Sequence, residues 1–290
     1  MTDREFDAIV IGGGPAGAQC VLWLTKLGLK ACLLEKAEIG GLQARSPYSN
    51  SWLAVVQATT LARNVAANIE RNISEQGCTL FRTSCERIDH STERNAFLVS
   101  TALGPLSARN VILATGTSEN TGGMESDRAV LGLVGAASMQ CAGKDVAILG
   151  GGDAACEAYQ IATQKGAARV RVFARSSRAR KDMWGAVAAK DKRVGDYWVE
   201  DDIVRYGESR FSPEIICPCY GWAPVIPPLG FKVDLDQTGR IVVDPRMRSS
   251  FPGVYAIGDV NNHSYPCVAT AVAEGVYAAK EIERGLSEHI

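Results

Sequence analysis

Two glycine-rich segments of this sequence have the composition of phosphate-binding turns. Each follows a short apolar run of the kind that forms a buried parallel strand, and each opens a helical stretch. They read Gly12-Gly13-Gly14-Pro15-Ala16-Gly17 and Gly150-Gly151-Gly152-Asp153-Ala154-Ala155. A glycine turn at a helix N-terminus offers free N–H groups and partial positive charge to a phosphate. The sequence therefore contains an internal repeat of one nucleotide-binding unit.

The first copy has each part of a dinucleotide-binding unit. Gly12 permits the tight turn, Gly14 lets a pyrophosphate approach the backbone, and Gly17 lets helix and strand pack closely. A helix and a second strand over 30–34 follow. Glu35 ends that strand, about 20 residues after the first glycine, where its carboxylate can accept hydrogen bonds from ribose hydroxyls. This combination favours dinucleotide binding over the alternative, a glycine turn kept only for packing.

The second copy lacks the acidic residue. Arg175 stands at the end of its second strand and is followed by Arg178 and Arg180. A carboxylate there would repel the 2′-phosphate of NADP, whereas arginine binds it through paired hydrogen bonds. The segment predicts a preference for NADP(H) over NAD(H). The alternative is a solvated basic turn on a domain that no longer binds a nucleotide.

The composition is that of an ordinary globular protein. A length of 290 residues fits roughly two domains. Hydrophobic residues make up 46% and charged residues 22%, which excludes disorder, collagen and coiled coil. The 31 basic and 32 acidic residues nearly balance, so nothing favours nucleic acid or an anionic membrane as a partner. No run approaches the ~20 apolar residues of a membrane helix and no signal peptide is evident, so we expect a cytoplasmic protein.

The cysteine pattern favours reduced thiols. The nine cysteines are an odd number, and neither they nor the three histidines show the spacing of a metal site. Most are expected to be small core hydrophobes. Cys217 and Cys219 lie two residues apart on a predicted strand, so their side chains share one side. They form either buried structural thiols, the favoured interpretation, or a strained disulfide.

Further segments complete a family pattern. They are Gly40-Gly41, Asn50 with Trp52, Ala114-Thr115-Gly116, and Gly258-Asp259-Val260 with His263 and Tyr265. With the two glycine turns, they resemble the low-molecular-weight thioredoxin reductase family over nearly the whole chain. The resemblance implies an α/β fold with two Rossmann-like, three-layer ββα dinucleotide-binding domains, the NADPH domain being inserted in the FAD domain. It implies an FAD-binding domain at 1–117 and 245–290, a trimmed NAD(P)H-binding domain at 118–244, a homodimer, and hydride flow from NADPH to FAD to an acceptor.

The resemblance also implies which residues contact each cofactor. For FAD they are Gly12, Gly14, Pro15, Ala16, Gly17, Glu35, Lys36, Gly40, Gly41, Gln43, Asn50, Cys85, Ala114, Thr115, Gly116, Gly258, Asp259, Cys267, Val268 and Ala269. For NADPH they are Gly150, Gly152, Asp153, Ala154, Ala155, Glu157, Arg175 and Arg180. The NADPH signature is incomplete, because the family pattern of His-Arg-Arg is replaced by Ala174-Arg175-Ser176.

Departures from the family bear on the acceptor. Family spacing places a CxxC disulfide at 134–137, where this chain has Val-Gly-Ala-Ala. Disulfide exchange needs an attacking and a resolving thiol, so ordinary thioredoxin reduction is not expected. The related bacillithiol disulfide reductases use a cysteine in the first glycine turn, where Ala16 stands here. Similar ferredoxin–NADP reductases also lack CxxC, but the aromatic C-terminal extension that they usually carry is not evident.

Cys267 is the candidate catalytic cysteine, because it occupies the position of a family glutamine beside the flavin. A thiol at a helix N-terminus can have a lowered pKa. The alternative is a small residue that packs on the ring edge.

Three functional hypotheses follow. The first is an FAD enzyme that passes electrons from NADPH to an unidentified small molecule or small redox protein. The second is a flavin thiol/disulfide oxidoreductase that uses Cys267 or the Cys217 and Cys219 pair. The third is a non-catalytic flavin-binding protein with a vestigial NADPH domain.

Overall fold

The computed structural model describes residues 4–51, 53–263 and 265–287, so the family position Trp52 lies outside the described residues. The strands are β1 (Arg4–Ile11), β2 (Ala31–Leu34), β3 (Thr79–Phe81), β4 (Cys85–Ser91), β5 (Ala96–Thr101), β6 (Leu106–Leu113), β7 (Thr117–Glu119), β8 (Asp145–Leu149), β9 (Arg169–Ala174), β10 (Lys192–Val194), β11 (Tyr197–Glu200), β12 (Ile203–Tyr206), β13 (Ser209–Phe211), β14 (Ile215–Pro218), β15 (Trp222–Pro224) and β16 (Val254–Ala256). The helices are α1 (Pro15–Lys26), α2 (Leu42–Arg45), α3 (Ala62–Glu75), α4 (Gly132–Ser138), α5 (Asp153–Gln164), α6 (Lys181–Ala186) and α7 (Val268–Ser287). None of the helices in these ranges is long and apolar enough to cross a membrane.

The chain divides into two compact units. Unit 1 comprises Met1–Thr117 with Pro224–Ile290, and unit 2 comprises Ser118–Ala223. The sequence instead assigns 224–244 to the second domain. Hydrogen bonds tie that segment to unit 1, because the Val225 N–H donates to the Gly116 carbonyl at 3.0 Å and the Ile241 N–H donates to the Val260 carbonyl at 3.0 Å.

Unit 1 is built on a mixed sheet in the order β3-β2-β1-β6-β5-β4, with β16 paired to β6. Strands β3, β2, β1, β6 and β16 are parallel, and β5 and β4 are antiparallel. Ala8 and Val10 of β1 pack in a core with α1 and α7. Ile9 and Ile11 pack in a second core with Phe97 of the β4–β5 hairpin. The central strand is thus buried on both faces, as its continuous apolar run predicts.

Unit 2 repeats this arrangement on a smaller scale. Its parallel sheet has the order β10-β9-β8-β14, and β11, β12 and β13 form an antiparallel sheet. Val146 and Ile148 of β8 pack in a core with α5. Leu149 packs in a second core with Phe173 and with Tyr197 of the antiparallel sheet. The predicted repeat is therefore a repeat of three-layer structure.

The parallel strands determine where the glycine-rich turns meet. In a parallel sheet all carboxyl ends lie at one edge, and ligands of such folds bind in the crevice outside that edge. In unit 1 this edge carries the turns after β1, β2, β6 and β16. In unit 2 it carries those after β8, β9 and β14.

Candidate functional site

The first glycine turn is held by close backbone contacts. Gly12 has φ +106°, and a Cβ added to it would lie 2.4 Å from the Ala114 carbonyl oxygen. A Cβ on Gly17 would lie 2.0 Å from the Gly12 carbonyl oxygen. A Cβ on Gly14 meets no described atom within 4 Å, and this residue is the N-cap of α1. The turn therefore leaves open space at the position where a phosphate would approach.

Glu35 is joined to this turn through its carboxylate. It accepts the Gly13 N–H at 2.6 Å on one oxygen and the Ala37 N–H at 2.7 Å on the other. The residue is half-buried, and Lys36 beside it is exposed. Each carboxylate oxygen has a further acceptor position, so the predicted contact with ribose hydroxyls is compatible with these bonds.

The segment after Glu35 folds against the same turn. The Gly40 N–H donates to the Gly13 carbonyl at 2.8 Å. A Cβ on Gly41 would lie 3.2 Å from the Gly14 Cα. The side chain of Asn50 donates to the Gln43 side chain at 2.8 Å, which brings those two predicted FAD contacts together.

The turns after β6 and β16 complete the edge of unit 1. The Ala114 N–H donates to the Ile11 carbonyl at 2.8 Å, and the Thr115 hydroxyl donates to the Val225 carbonyl. Gly116 and Gly258 have φ +64° and +72°. A Cβ on Gly258 would lie 3.1 Å from the Cβ of Ala16, so the last turn lies against the first.

Asp259 presents a carboxylate at this edge. It is half-buried and, among the described residues, receives no hydrogen bond on its side chain. Burial raises the pKa of Asp259, the nearby Arg240 acts to lower it, and Glu274 adds to the increase. An acceptor of this kind fits a ligand hydroxyl, because a half-buried carboxylate without a donor gains from acquiring one.

Cys267 is the N-cap of α7. Its Sγ accepts the Thr270 N–H at 3.5 Å, and the Cys267 N–H donates to the Thr270 hydroxyl oxygen at 3.3 Å. Val268 and Ala269 form the first helical turn. Burial acts to raise the pKa of the Cys267 thiol, but hydrogen bonds from Thr270 and from the Ala269 amide outweigh it and lower the pKa overall. The thiol is exposed.

Cys85 lies at the start of β4, opposite Thr101 of β5. It packs against the core on the hairpin side of the sheet, and burial raises its pKa to about 11. Its predicted contact with FAD stays a prediction, as does the assignment of each of the other residues to a cofactor.

The second glycine turn repeats the contacts of the first. Gly150 has φ +135°, and a Cβ on it would lie 2.3 Å from the Cys219 carbonyl oxygen. The Cys219 N–H donates to the Leu149 carbonyl at 2.7 Å, as Ala114 does to the strand before the first turn. Gly152 is the N-cap of α5, and a Cβ on it meets no described atom within 4 Å. Cys217-Pro218-Cys219 therefore corresponds in position to the end of β6 and the turn after it.

The two predicted arginines have different surroundings. The Arg180 N–H donates to Asp153 at 2.9 Å, and its guanidinium pairs with the same carboxylate at 3.2 Å. Burial and Asp153 raise the pKa of Glu157, one turn further along α5, while Arg180 acts to lower it. Arg175 is exposed and has no ion pair within the described ranges. Arg175 is thus the freer of the two to meet a phosphate.

Cys217 and Cys219 face the same side of the chain, with their Sγ atoms 3.8 Å apart. Both residues are buried. The hydrogen bond that it shares with Cys217, together with burial, raises the pKa of Cys219 well above its usual value. The favoured interpretation, buried thiols, agrees with this geometry, because a thiol with a raised pKa is a poor nucleophile.

Sequence reasoning missed a buried polar group beside Asp259. Glu274 of α7 is buried and accepts hydrogen bonds from Gly258 and Asn261. The adjacent Gly275 contacts α1 so closely that a Cβ would lie 2.5 Å from the Ala16 carbonyl oxygen. An acidic residue followed by glycine in the small, largely apolar first half of α7 was the available signal.

The residues at the edge of unit 1 fit a bound dinucleotide. Gly14 leaves space beside a helix N-terminus, and Asp259 offers an acceptor without a donor. No group of three His, Cys, Asp or Glu residues in the described part of the chain is arranged to hold a metal ion. The arrangement at this edge can hold a nucleotide through backbone and carboxylate contacts.

Comparison with known proteins identifies the family. The family described as pyridine nucleotide-disulphide oxidoreductase matches residues 6–275, and the chain belongs to it. A thioredoxin reductase of Peptoclostridium litorale is 28% identical, over 99% of this chain and 98% of its own. A ferredoxin–NADP reductase of Lactococcus lactis subsp. lactis is 22% identical, over 98% of this chain and 95% of its own.

Solved structures share the fold. Thioredoxin reductase of Lactococcus lactis superposes with a TM-score of 0.81 at 20% identity, over 98% of this chain and 99% of its own. The bacillithiol disulfide reductase of Staphylococcus aureus also superposes with a TM-score of 0.81, at 16% identity, over 97% of this chain and 99% of its own. The predicted fold class is confirmed. Family membership also confirms the predicted class of enzyme, an NAD(P)H-dependent flavin oxidoreductase, and its cofactors FAD and NADPH.

Proposed function

We propose that this enzyme passes electrons from NADPH through FAD to an acceptor without a cysteine pair of the CxxC type. One observation carries the proposal: two glycine turns are built in the same way, each with space at its third glycine, while 134–137 are Val-Gly-Ala-Ala. FAD, when bound, accepts a hydride and hands its electrons on. The chain's own contribution is to bind and orient the two cofactors.

Unit 1 is proposed to hold FAD. The N-terminus of α1 would receive the pyrophosphate, and Glu35 the adenosine ribose. Asp259 would accept a hydrogen bond from a ribityl hydroxyl. The N-terminus of α7, capped by Cys267, would add partial positive charge near the ring.

Unit 2 is proposed to hold NADPH. The N–H groups at the start of α5 would receive its pyrophosphate. Arg175 would contact the 2′-phosphate. Arg180 is engaged with Asp153, so its contribution to phosphate binding is expected to be smaller than that of Arg175.

Anaerobic reduction tests the proposal. Purified holoenzyme is mixed with one equivalent of NADPH, and flavin absorbance near ~450 nm is followed. Bleaching that persists in a variant with all nine cysteines replaced by serine or alanine supports electron transfer through flavin alone. No bleaching with either NADPH or NADH would exclude the proposal.

A second candidate is thiol/disulfide chemistry at Cys267. The observation that favours it is the exposed, helix-capping thiol with its lowered pKa. Turnover of small disulfides by Cys267→Ser is compared with that of Cys78→Ser, a partly exposed cysteine elsewhere in unit 1. Loss of turnover in the first variant alone supports this candidate, and equal turnover in both excludes it.

The acceptor is proposed to be a small redox protein or a small molecule. The names of the relatives point to acceptors as different as thioredoxin, ferredoxin and bacillithiol disulfide. We also propose a homodimer in the cytoplasm. The non-catalytic hypothesis gains no support, because the family is one of enzymes.

A further inference from the structure

A buried glutamate of α7 joins the two ends of the turn that carries Asp259. Glu274 is 3% exposed. One of its oxygens accepts the Gly258 N–H at 2.6 Å and the Asn261 side-chain amide at 2.8 Å. These donors lie at the start of the single helical turn Gly258–Val260 and directly after it. One carboxylate oxygen therefore holds both ends of the turn.

Asn261 extends this attachment to the chain on either side. Its side-chain N–H also donates to the Ala256 carbonyl at 2.9 Å. Its side-chain oxygen accepts the His263 N–H at 2.8 Å, and the His263 Nδ1 lies 3.6 Å from the other oxygen of Glu274. The end of β16 and the segment after the turn are thus linked to the same carboxylate.

Glu274 itself is fixed relative to the first glycine turn. The next residue, Gly275, lies where a Cβ would be 2.5 Å from the Ala16 carbonyl oxygen and 3.0 Å from the Cys20 amide nitrogen. Helix α7 therefore touches the backbone of α1 at the level of Glu274. A displacement of the Asp259 turn relative to α1 would have to break the hydrogen bonds to this glutamate.

We propose that Glu274 is a positioning residue of the flavin site, one that fixes the Asp259 carboxylate relative to the first glycine turn. The inference rests on the proposed FAD site in unit 1. Burial of a carboxylate costs free energy, and apolar residues of similar size often serve stability as well or better. The donors to Glu274 lie at the start of the Asp259 turn and directly after it. Orienting that turn would explain why an acid is buried here.

The test compares FAD release from holoenzyme variants. Glu274→Gln keeps the size and one acceptor but loses the charge, and Glu274→Leu removes both acceptors. Glu283→Gln, on the same helix, replaces an acid that pairs with Lys280 at the surface and serves as the control. The FAD dissociation constant is measured by dilution, from the recovery of flavin fluorescence.

The expected order of the FAD dissociation constants distinguishes a positioning role of Glu274 from a purely structural one. The FAD dissociation constant rises about tenfold in Glu274→Gln and further in Glu274→Leu, while the control keeps its value. The dissociation constant for NADP+ stays unchanged in all three, because unit 2 is untouched. A purely structural role would lower the melting temperature and leave the FAD dissociation constant of the folded protein unchanged, which overturns the proposal.

Asp259→Asn separates this proposal from the site assignment on which it rests. If Asp259→Asn releases FAD more readily and Glu274→Gln does not, positioning is wrong and the flavin site stands. If neither variant changes FAD release, both the positioning role of Glu274 and the assignment of the flavin site are wrong. Should Glu274→Leu fail to fold, the near-isosteric Glu274→Gln decides alone.

Discussion

The carboxylate of Asp259 has surroundings that a bound ligand would complete. Burial raises its pKa, and Glu274 adds to this increase against the opposing effect of Arg240. Its side chain receives no hydrogen bond from the described residues. Such a group reduces the stability of the folded apoprotein and becomes favourable when a ligand supplies the missing donor.

Asp259→Asn is therefore expected to stabilise the apoprotein and weaken FAD binding. Because the folded pKa is raised, the ionised form destabilises the fold at pH values above the ordinary carboxyl pKa of about 4, and this effect vanishes below it. The melting temperature of the variant apoprotein should exceed that of the wild type at neutral pH and converge with it near pH ~4. Its FAD dissociation constant should rise by about 10- to 100-fold. Equal melting temperatures at neutral pH would contradict this account.

Arg175 is expected to set the preference for NADPH. Arg175→Ala should raise the KM for NADPH by about 10- to 100-fold, because a charge-assisted contact with the 2′-phosphate is lost. The KM for NADH should stay the same. Arg178→Ala, which removes another exposed arginine from the same loop, is the control. Steady-state kinetics with both nucleotides measure the effect, and an equal rise for NADH would argue against phosphate recognition.

The glycine turns could be predicted from the sequence, whereas the burial of Glu274 could not. The roles of Gly12, Gly14 and Gly17 follow from local spacing, since a turn between strand and helix is set by a few adjacent residues. The burial of Glu274 depends on a contact between α7 and α1, which most of the chain separates. Arg180 was expected to bind a phosphate because it lies in a basic segment and matches the family pattern, and its pairing with Asp153 is visible only in three dimensions.

Among the elements, α1 and α7 form the scaffold of the proposed flavin site. Each has its N-terminus at the carboxyl edge of the sheet of unit 1, and they pack together through small residues in one core. Ala16, Gly258 and Gly275 allow this approach. The close packing brings the glycine turn and the Asp259 turn to the same place.

Gly275→Ala tests this contact. The added Cβ would clash with the α1 backbone, so the free energy of unfolding should fall by about 1–3 kcal/mol and FAD binding should weaken. Gly285→Ala on the same helix is the control, because a Cβ there meets no described atom within 4 Å. That variant should gain up to about 1 kcal/mol from helix propensity. Chemical denaturation measures the free energy of unfolding of both variants. Equal values would show that α1 and α7 can move apart without loss of stability.

At the scale of the whole molecule, the chain consists of two units with separate cores. The repeat could be predicted because each copy carries its own apolar run, glycine turn and helix. The boundary near residue 224 could not, because it depends on hydrogen bonds from Val225 and Ile241 to unit 1 rather than on local composition. Each unit has the elements of a dinucleotide site on its own.

Hydrogen exchange should therefore respond to each cofactor in one unit. FAD should slow amide exchange in 12–17 and 258–260, and NADP+ should slow it in 150–155 and 175–180. The reason is that bound phosphates engage the N–H groups of their own helix terminus. Mass spectrometry of proteolytic fragments measures the pattern. Protection by NADP+ confined to unit 1 would refute the assignment of the second turn.

The paired strands β7 and β15 have a practical consequence. They place the two ends of unit 2 side by side, since the Asn120 N–H donates to the Gly221 carbonyl at 2.8 Å. A segment with neighbouring ends can be excised and the gap closed by a short linker, or exchanged for the equivalent segment of another protein. Unit 2 can thus be transplanted or replaced while unit 1 keeps its own chain connections.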